Sequence, residues 1–346
     1  MYKKSPYLFS GIEKKEYICA FCFIIKHKSF MSSKSLLQRG DTIGLITPAG
    51  VIKQRDWDQL IKNLEILGLK ARYSKSIFSV YKEYLAGSDE KRIEELHKIY
   101  TDKEVKAVLA VRGGYGCSRI AEGIDYDLIR KYPKPLIGYS DLTFLQFALY
   151  KKLQIPSLHG ITGNRRFSYY TRKLIQEYLF EDHPQMVLTS KESEIHKYTP
   201  KQESYKGILI GGNLTILLSL LGTPFDIPWD DAVIFIEEIN EPVYKVDRML
   251  QQLFQAGKFQ KVQAVLFGKF SESNGHDFQT NALYEQRIHE IIKEKFLPRQ
   301  IPYIFGLSFG HIQKQMILPF GTPVTVDFTD ASIHFLRKDW QSFFEV

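Results

Sequence analysis

The feature that most constrains the fold is a regular alternation of short apolar segments and amphipathic ones, which begins at residue 41. TIGLIT (42–47) and VKAVLAV (105–111) are predicted strands, and the second is the nearly continuous apolar run typical of a strand buried on both faces. Between them, DWDQLIKNLEILG (56–68) and SDEKRIEELHKIY (88–100) space their apolar residues as amphipathic helices do. This order predicts a parallel sheet covered by helices on both faces.

The same kind of pattern returns in the second half of the chain. AVIFIE (232–237), VQAVLFG (262–268) and TPVTVDF (322–328) are predicted strands, and PVYKVDRMLQQLFQAG (242–257) is a predicted helix. Pro242 suits the first turn of that helix, where the N–H that it lacks is not needed. The second half is therefore also predicted to be α/β.

The two regions are separated by residues 164–204, which are polar and charged with weak periodicity, as in a linker or an exposed excursion. We predict an N-terminal domain over 31–163, a linker over 164–204 and a C-terminal domain over 205–346, with a cleft between the domains. Residues 1–30 are predicted to be a peripheral extension, because a natural protein start follows at Met31.

Composition narrows the class of protein. The chain has 346 residues, 44% of them hydrophobic and 25% charged, as in a globular protein. A net charge of +8 favours anionic partners, but basic and acidic residues are interspersed and form no basic tail, so nucleic acid is not expected. The apolar run near residue 20 is too short to span a bilayer and lacks a signal-peptide cleavage site, so no membrane association is expected.

Cysteine usage indicates a reducing compartment, which we expect to be the cytoplasm. The chain has three cysteines, Cys19, Cys22 and Cys117, which is too few and an odd number for a disulfide framework. No second Cys or His pair completes a zinc site with Cys19 and Cys22, so no metal is predicted.

The first candidate for chemistry is Ser140 in KPLIGYSDLTFLQ, at the junction of a predicted strand and a predicted helix. A nucleophile at such a turn is exposed, and the first N–H groups of the helix lie where an oxyanion would form. The backbone N–H of Asp141 would be one such donor. The alternative is that Ser140 only starts the helix, since the usual G-x-S-x-G spacing is absent.

A glycine-rich segment follows the buried strand in AVLAVRGGYGCSR. Gly113 and Gly114 would let backbone N–H groups approach a carboxylate or an oxyanion closely, at the edge of the sheet where ligands bind. Arg112 is expected either to bind an anionic substrate or to cap the strand. The G-x-G-x-x-G spacing is incomplete, so no dinucleotide cofactor is predicted.

Two acids end the strand AVIFIEE. Glu237 and Glu238 are neighbours in a strand and point to opposite faces, which argues against a glycosidase pair and favours one inward and one outward carboxylate. A solvated strand end is the alternative. His311, after Gly310 in a loop that follows the strand YIFGL, is a candidate base, and His159 in PSLHGI is its rival.

Taken together, these motifs resemble the LD-carboxypeptidase family of serine peptidases, the S66 group. The resemblance runs from about residue 39 to 336 and rests on GDTIGLITPAG, VRGGYGCSRI, KPLIGYSDLT, LIGGNLTIL, FIEEINEPVYKVDRML and FGH. It implies a Ser–His–Glu triad of Ser140, His311 and Glu237, and it leaves His159 as a cleft-lining residue. It also implies an N-terminal parallel-sheet domain of flavodoxin or amidotransferase type and a smaller, β-rich C-terminal α/β domain, with the site in the cleft.

The implied activity is that of a carboxypeptidase without cofactor that cleaves an L,D-peptide bond and releases D-alanine from a murein tetrapeptide during peptidoglycan recycling. Arg112 is the expected anchor for the terminal carboxylate, with Gly113, Gly114 and Asp141 around the oxyanion. The alternative within the family is a microcin C immunity-type peptidase that cleaves aminoacyl or peptidyl nucleotides, with NRRFSYYTRK as its aromatic platform. A non-catalytic two-lobed peptide-binding protein is the alternative from another class, and a homodimer is left open.

Overall fold

The computed structural model describes residues 35–190, 192, 194–271 and 278–344, with side chains described except at 278–280. The strands are β1 (Thr42–Ile46), β2 (Lys70–Arg72), β3 (Val105–Ala110), β4 (Leu136–Gly138), β5 (Ser157–His159), β6 (Gln185–Thr189), β7 (His196–Tyr198), β8 (Ser204–Asn213), β9 (Ala232–Ile239), β10 (Ala264–Ser271), β11 (Tyr303–Phe305), β12 (Leu318–Phe320), β13 (Thr322–Asp327) and β14 (Ser332–Leu336). The helices are α1 (Gln54–Leu67), α2 (Asp89–Thr101), α3 (Cys117–Ile120), α4 (Tyr126–Lys131), α5 (Leu142–Leu153), α6 (Tyr169–Ile175), α7 (Leu214–Leu220), α8 (Val243–Gln255), α9 (Phe278–Phe296) and α10 (Lys338–Gln341).

The first sheet has the strand order β12-β5-β4-β3-β1-β2. Strands β1 to β5 are mutually parallel, as the alternating pattern predicts, and β12 joins the edge antiparallel to β5. The helix α5 is buried on nearly every face, because its eight residues from Leu142 to Leu149 are apolar or paired with other buried groups. The parallel α/β class is thus confirmed for this half.

The second sheet has the order β6-β14-β13-β8-β9-β10-β11-β7. Strands β8 to β11 are parallel, and the strands on either side of them pair antiparallel. The side chains of Ala232–Glu238 in β9 are buried throughout, as expected for a central strand covered on both faces. Two α/β sheets, each with its own helices, confirm the predicted fold class.

The segment predicted to be a linker, residues 164–204, contains ordered elements. It holds α6, which continues as a π-helical turn over Gln176–Phe180, and the strands β6 and β7 at the two edges of the second sheet. β6 alternates exposed and buried residues, so that Met186 and Leu188 face the core while Gln185, Val187 and Thr189 face outward. The edge strands are short, five residues in β6 and three in β7, and β7 is polar, which is why the segment read as a linker in sequence. The exact domain boundaries stay a prediction.

The two sheets meet at the helix that follows Ser140. A β-carbon on Gly212, at the end of β8, would lie 2.4 Å from the side chain of Thr143 in α5, so only glycine permits this approach. The backbone N–H of Asn213 donates to Thr143 Oγ1 at 3.2 Å. The first turn of α5 is therefore fixed against the carboxyl end of β8.

Some of the sequence-based expectations concern residues that the structure does not describe. The N-terminal extension over 1–30, with Cys19 and Cys22, lies outside the described residues, whereas Cys117 is a buried free thiol. Across the described part of the chain, none of the helices combines the length and the apolarity that a membrane span requires.

Candidate active site

Ser140 occupies a strained turn between β4 and α5. Its φ is +65°, a left-handed conformation that costs a non-glycine residue on the order of 1 kcal/mol or more. The side chain is half-buried, and Oγ has no hydrogen-bond partner among the described residues. A strained, partly exposed serine between a parallel strand and a helix has the backbone arrangement of a nucleophile turn.

The glycine segment after β3 lies directly against this serine. A β-carbon on Gly113 would lie 3.0 Å from Ser140 Cβ and 3.1 Å from Oγ. The carbonyl of Gly113 accepts a hydrogen bond of 3.2 Å from the N–H of Gly50, so the trans peptide directs the N–H of Gly114 away from Gly50. Gly114 itself has φ +125°. Backbone amides of this segment are therefore close to the serine.

The carboxylate of Asp141 connects the serine turn to the glycine segment. Its Oδ2 accepts a hydrogen bond from the N–H of Cys117 at 2.8 Å, and the side chain is buried. Burial raises the pKa of Asp141, partly offset by this bond. The Asp141 carboxylate is thus used in a structural hydrogen bond. The part of Asp141 that lies next to Ser140 is its backbone.

Arg112 lies beside the glycine segment but is held by protein groups. Its Nη1 donates to the carbonyl of Val51 at 2.7 Å and lies 3.5 Å from Asp56 Oδ2. About a third of the side chain is exposed. The structure therefore places Arg112, Gly113, Gly114 and Ser140 close together, and Nη1 of the guanidinium is held by Val51 and Asp56.

The second half of the chain contributes a hydrogen-bonded histidine–glutamate pair to the same region. His311 Nδ1 lies 2.7 Å from Oε2 of Glu237, which is fully buried near the carboxyl end of β9. Burial alone would raise the pKa of Glu237, but the charge and hydrogen bond of His311 outweigh it, so the pKa is lowered. An ionised Glu237 holds the proton of His311 on Nδ1 and leaves Nε2 free.

The loop that carries His311 is anchored on both sides. Gln315 Nε2 donates to the carbonyl of Gly310 at 2.6 Å, and a guanidinium nitrogen of Arg165 donates to the carbonyl of His311 at 3.3 Å. Gln315 is in turn held by Thr171 of α6, whose Oγ1 accepts from the Gln315 N–H at 3.1 Å. The base candidate therefore projects from a rigid loop.

Glu238 points to the opposite face of β9, as strand alternation predicts, but it is buried like Glu237, so the expected outward, solvated carboxylate is wrong. Its Oε2 accepts hydrogen bonds of 2.8 Å from the N–H and the hydroxyl of Thr215, in the first turn of α7. Its Oε1 accepts from Asn213 Nδ2 at 3.0 Å. Glu238 thus stabilises a helix N-terminus, where a negative charge is favourable.

Tyr139 links the serine and the histidine, a role that the sequence did not indicate. The ring of Tyr139, the residue directly before Ser140, lies 4.9 Å from the ring of His311 between centroids. This contact brings the loop after β11 next to the serine turn. A signal was present, since GYSD has an aromatic residue directly before the serine.

His159 is not cleft-lining, which corrects that expectation. It is fully buried, its Nδ1 lies 2.9 Å from Gln146 Oε1, and its ring packs 4.9 Å from that of Phe235. Burial lowers its pKa to about 4, so it is neutral near pH 7. The reason is its position in β5, an inner strand that faces the second sheet. His159 is therefore closed off from solvent in this structure.

No metal centre accompanies this arrangement in the part of the chain that the structure describes, where no three His, Cys, Asp or Glu side chains cluster as metal ligands. A serine at a strand-to-helix turn, with a His–Glu pair and glycine amides beside it, has the arrangement of a serine-type hydrolase.

Sequence comparison specifies the family. Residues 43–160 match the LD-carboxypeptidase N-terminal domain and residues 206–326 the LD-carboxypeptidase C-terminal domain. The chain belongs to the LD-carboxypeptidase family, S66. A relative from Bacillus subtilis named "probable murein peptide carboxypeptidase" is 34% identical over 84% of this chain and 90% of its own length.

Solved structures agree with this assignment. The muramoyltetrapeptide carboxypeptidase from Oxalobacter formigenes is 29% identical and covers 85% of this chain and 97% of its own, with a TM-score of 0.69. The microcin C7 self-immunity protein MccF, solved with aspartyl sulfamoyl adenosine, covers 88% and 98% with a TM-score of 0.76. At 22% identity, the second likeness supports the fold alone.

Proposed function

We propose that the protein is a serine carboxypeptidase that hydrolyses an L,D-peptide bond and releases the terminal D-amino acid of a murein tetrapeptide. The observation that carries the proposal is the 2.7 Å pair of His311 and Glu237 next to the strained turn of Ser140. The name of the Bacillus subtilis relative supports a murein peptide as the substrate. We place the reaction in the cytoplasm, in peptidoglycan recycling.

The proposed first step is acylation. His311 Nε2 takes the proton of Ser140 Oγ as Oγ attacks the scissile carbonyl, and Glu237 stabilises the imidazolium through Nδ1–H. The N–H of Asp141 and that of Gly113 or Gly114 hold the oxyanion. His311 then donates its proton to the leaving amine, the D-amino acid departs and an acyl-enzyme remains.

Deacylation repeats the same proton transfers with water as the nucleophile. His311 takes a proton from water, the hydroxide attacks the acyl carbonyl, and Ser140 Oγ leaves with the proton that His311 returns. The free hydroxyl of Ser140 in this structure fits the proposal, because hydrogen bonds of catalytic serines are often long without substrate and tighten when it binds.

Arg112 is the proposed anchor of the substrate's terminal carboxylate. A guanidinium can bind a carboxylate through two parallel hydrogen bonds, and Arg112, about a third exposed, directly precedes Gly113 and Gly114 in the chain. Its contacts to Val51 and Asp56 would fix its orientation before substrate arrives.

Incubation with purified muropeptides, followed by mass spectrometry of the products, tests this function. We expect one D-alanine per tetrapeptide from the wild type. A wild-type protein that binds muropeptides tightly without turnover, and that an active-site serine reagent leaves unlabelled at Ser140, would instead indicate the two-lobed binding protein.

The alternative of a microcin C immunity-type peptidase requires an aromatic platform for a nucleotide base, and this structure offers fewer exposed rings for it than the sequence suggested. In the segment NRRFSYYTRK, Phe167 is buried and the hydroxyl of Tyr170 donates to Thr189, so Tyr169, 77% exposed, is the ring there that is open to solvent. Comparing hydrolysis of a murein tetrapeptide with that of an aminoacyl sulfamoyl adenylate separates the two activities.

A further inference from the structure

A cationic cavity of about 500 Å³ adjoins the loop of His311. Its walls are the first turns of α1, the segment after β5 and the residues that follow His311. Three arginines line it: Arg55 from α1, and Arg165 and Arg166 from the segment after β5. Apart from the bond of Arg165 to the His311 carbonyl, the mechanism above assigns no role to these arginines.

Their charges are not compensated within the protein. Neither Arg55 nor Arg166 forms a hydrogen bond or an ion pair with any described residue, and the guanidinium of Arg165 has only its bond to the His311 carbonyl. The one acid in the cavity wall is Asp56, which already pairs with Arg112 at 3.5 Å. The cavity thus presents a surplus of positive charge.

The backbone that presents Arg165 is rigid. Asn63 of α1 is buried, and its Nδ2 donates to the carbonyl of Gly163 at 2.9 Å and to that of Arg165 at 2.7 Å. The same helix carries Arg55 two turns earlier. A preorganised set of cations loses less conformational entropy when it binds an anion than a mobile one does.

We propose that Arg55, Arg165 and Arg166 form an anion-binding subsite that takes a second carboxylate of the peptide substrate, separate from the terminal carboxylate at Arg112. This inference rests on the proposed peptidase function and narrows its substrate to peptides that carry an additional acidic group near the scissile bond. Guanidinium groups suit this role because they bind carboxylates bidentately.

The expected effect is moderate, since all three side chains are exposed to solvent. An exposed ion pair contributes about 0.2–1 kcal/mol, so each of these arginines should change kcat/KM by roughly 1.4- to fivefold. The effect should lie mainly in KM, because the contact is the same in ground and transition states. It should also weaken as salt is added.

The test uses two tetrapeptides that end in the same D-alanine and differ only in whether the carboxylate on the side chain before the scissile bond is free or amidated. The informative variant is R55Q/R166Q, because Arg55 and Arg166 hold no other described group, whereas Arg165 also supports His311. The matched control is R287Q on α9, an exposed arginine outside the cavity. All three proteins should unfold at the same temperature.

We expect the wild type and R287Q to prefer the free acid by roughly tenfold in kcat/KM, and R55Q/R166Q to prefer it by about twofold or less. Equal cleavage of both peptides by the wild type, or an unchanged preference in R55Q/R166Q, overturns the subsite and leaves the peptidase standing. A wild type that cleaves neither peptide overturns both proposals.

Discussion

Gly310 packs directly against Glu237. A β-carbon on Gly310 would lie 3.1 Å from Glu237 Cβ and 3.2 Å from Oε2, the oxygen that pairs with His311. The backbone of Gly310 has φ +116°, which side-chain-bearing residues rarely adopt. The residue before the proposed base therefore sets the distance between that base and its carboxylate.

Gly310→Ala should lower kcat far more than it lowers stability. The added methyl would displace Glu237 or the His311 loop by a few tenths of an ångström. Since a misplacement of about 1 Å costs roughly 10²-fold in rate, we expect a loss of up to about tenfold. The matched control is Gly222→Ala, because Gly222 also has a positive φ, +75°, but nothing lies within 4 Å of its added carbon. Steady-state kinetics beside thermal unfolding should show reduced activity in Gly310→Ala alone, with Gly222→Ala reporting the cost of the positive φ by itself. Equal activity in both variants would contradict the proposed role of this contact.

Ser140→Ala should reduce D-alanine release by on the order of 10⁴-fold or more while the fold is retained, because the nucleophile is lost. Alanine at φ +65° bears similar backbone strain to serine, so the unfolding temperature should hardly change. Release is measured by chromatography of the free amino acid. Ser219→Ala, an exposed position on α7, serves as the control and should retain wild-type activity. A Ser140→Ala protein as active as this control would refute the proposed mechanism.

Glu237→Gln should lower kcat by roughly 10⁴-fold, because a neutral amide stabilises neither the required tautomer nor the imidazolium of His311. The difference in unfolding free energy between the wild type and Glu237→Gln should also grow as pH rises. The pKa of Glu237 is lowered in the native protein from 4.5, so its contribution is present above that pH and is lost as pH falls through the native value.

Urea unfolding at a series of pH values measures this contribution. The stability difference between wild type and Glu237→Gln should shrink below about pH 4.5. Glu65→Gln, at an exposed glutamate of α1 without a described partner, should show a difference close to zero throughout. A Glu237 difference that does not depend on pH would mean that the carboxylate is not held ionised by His311.

A catalytic base that becomes protonated makes kcat/KM fall at acid pH. His159→Phe should leave this fall in place, since His159 is buried and is not the proposed base. The change leaves Gln146 Oε1 without its partner, which should cost about 1–3 kcal/mol of unfolding free energy. Native His159 has a pKa of about 4 instead of 6.5, so the wild type should lose stability as pH falls from 6.5 towards 4. His159→Phe should lack the part of this stability loss that comes from protonation of His159. Disappearance of the fall in kcat/KM at acid pH in His159→Phe would make His159 the base.

The local features of this chain could be predicted from sequence. The apolar run at β3, the helix α5 after Ser140 and the opposed directions of Glu237 and Glu238 all follow from periodicities of a few residues. The candidate triad and its order along the chain were implied by the resemblance of several short motifs to the LD-carboxypeptidase family. These features depend on each residue and its near neighbours, so they are present in the linear sequence.

The contacts between distant segments were decided only by tertiary structure. His311 and Glu237 are 74 positions apart, β12 leaves the second half to pair with β5, and β6 and β7 complete the edges of the second sheet. The burial of His159 and the cavity with its unpaired arginines follow from how the sheets pack, not from any local pattern. The physical reason is that burial and electrostatic compensation depend on everything within a few ångströms, and distant segments become neighbours only when the core forms.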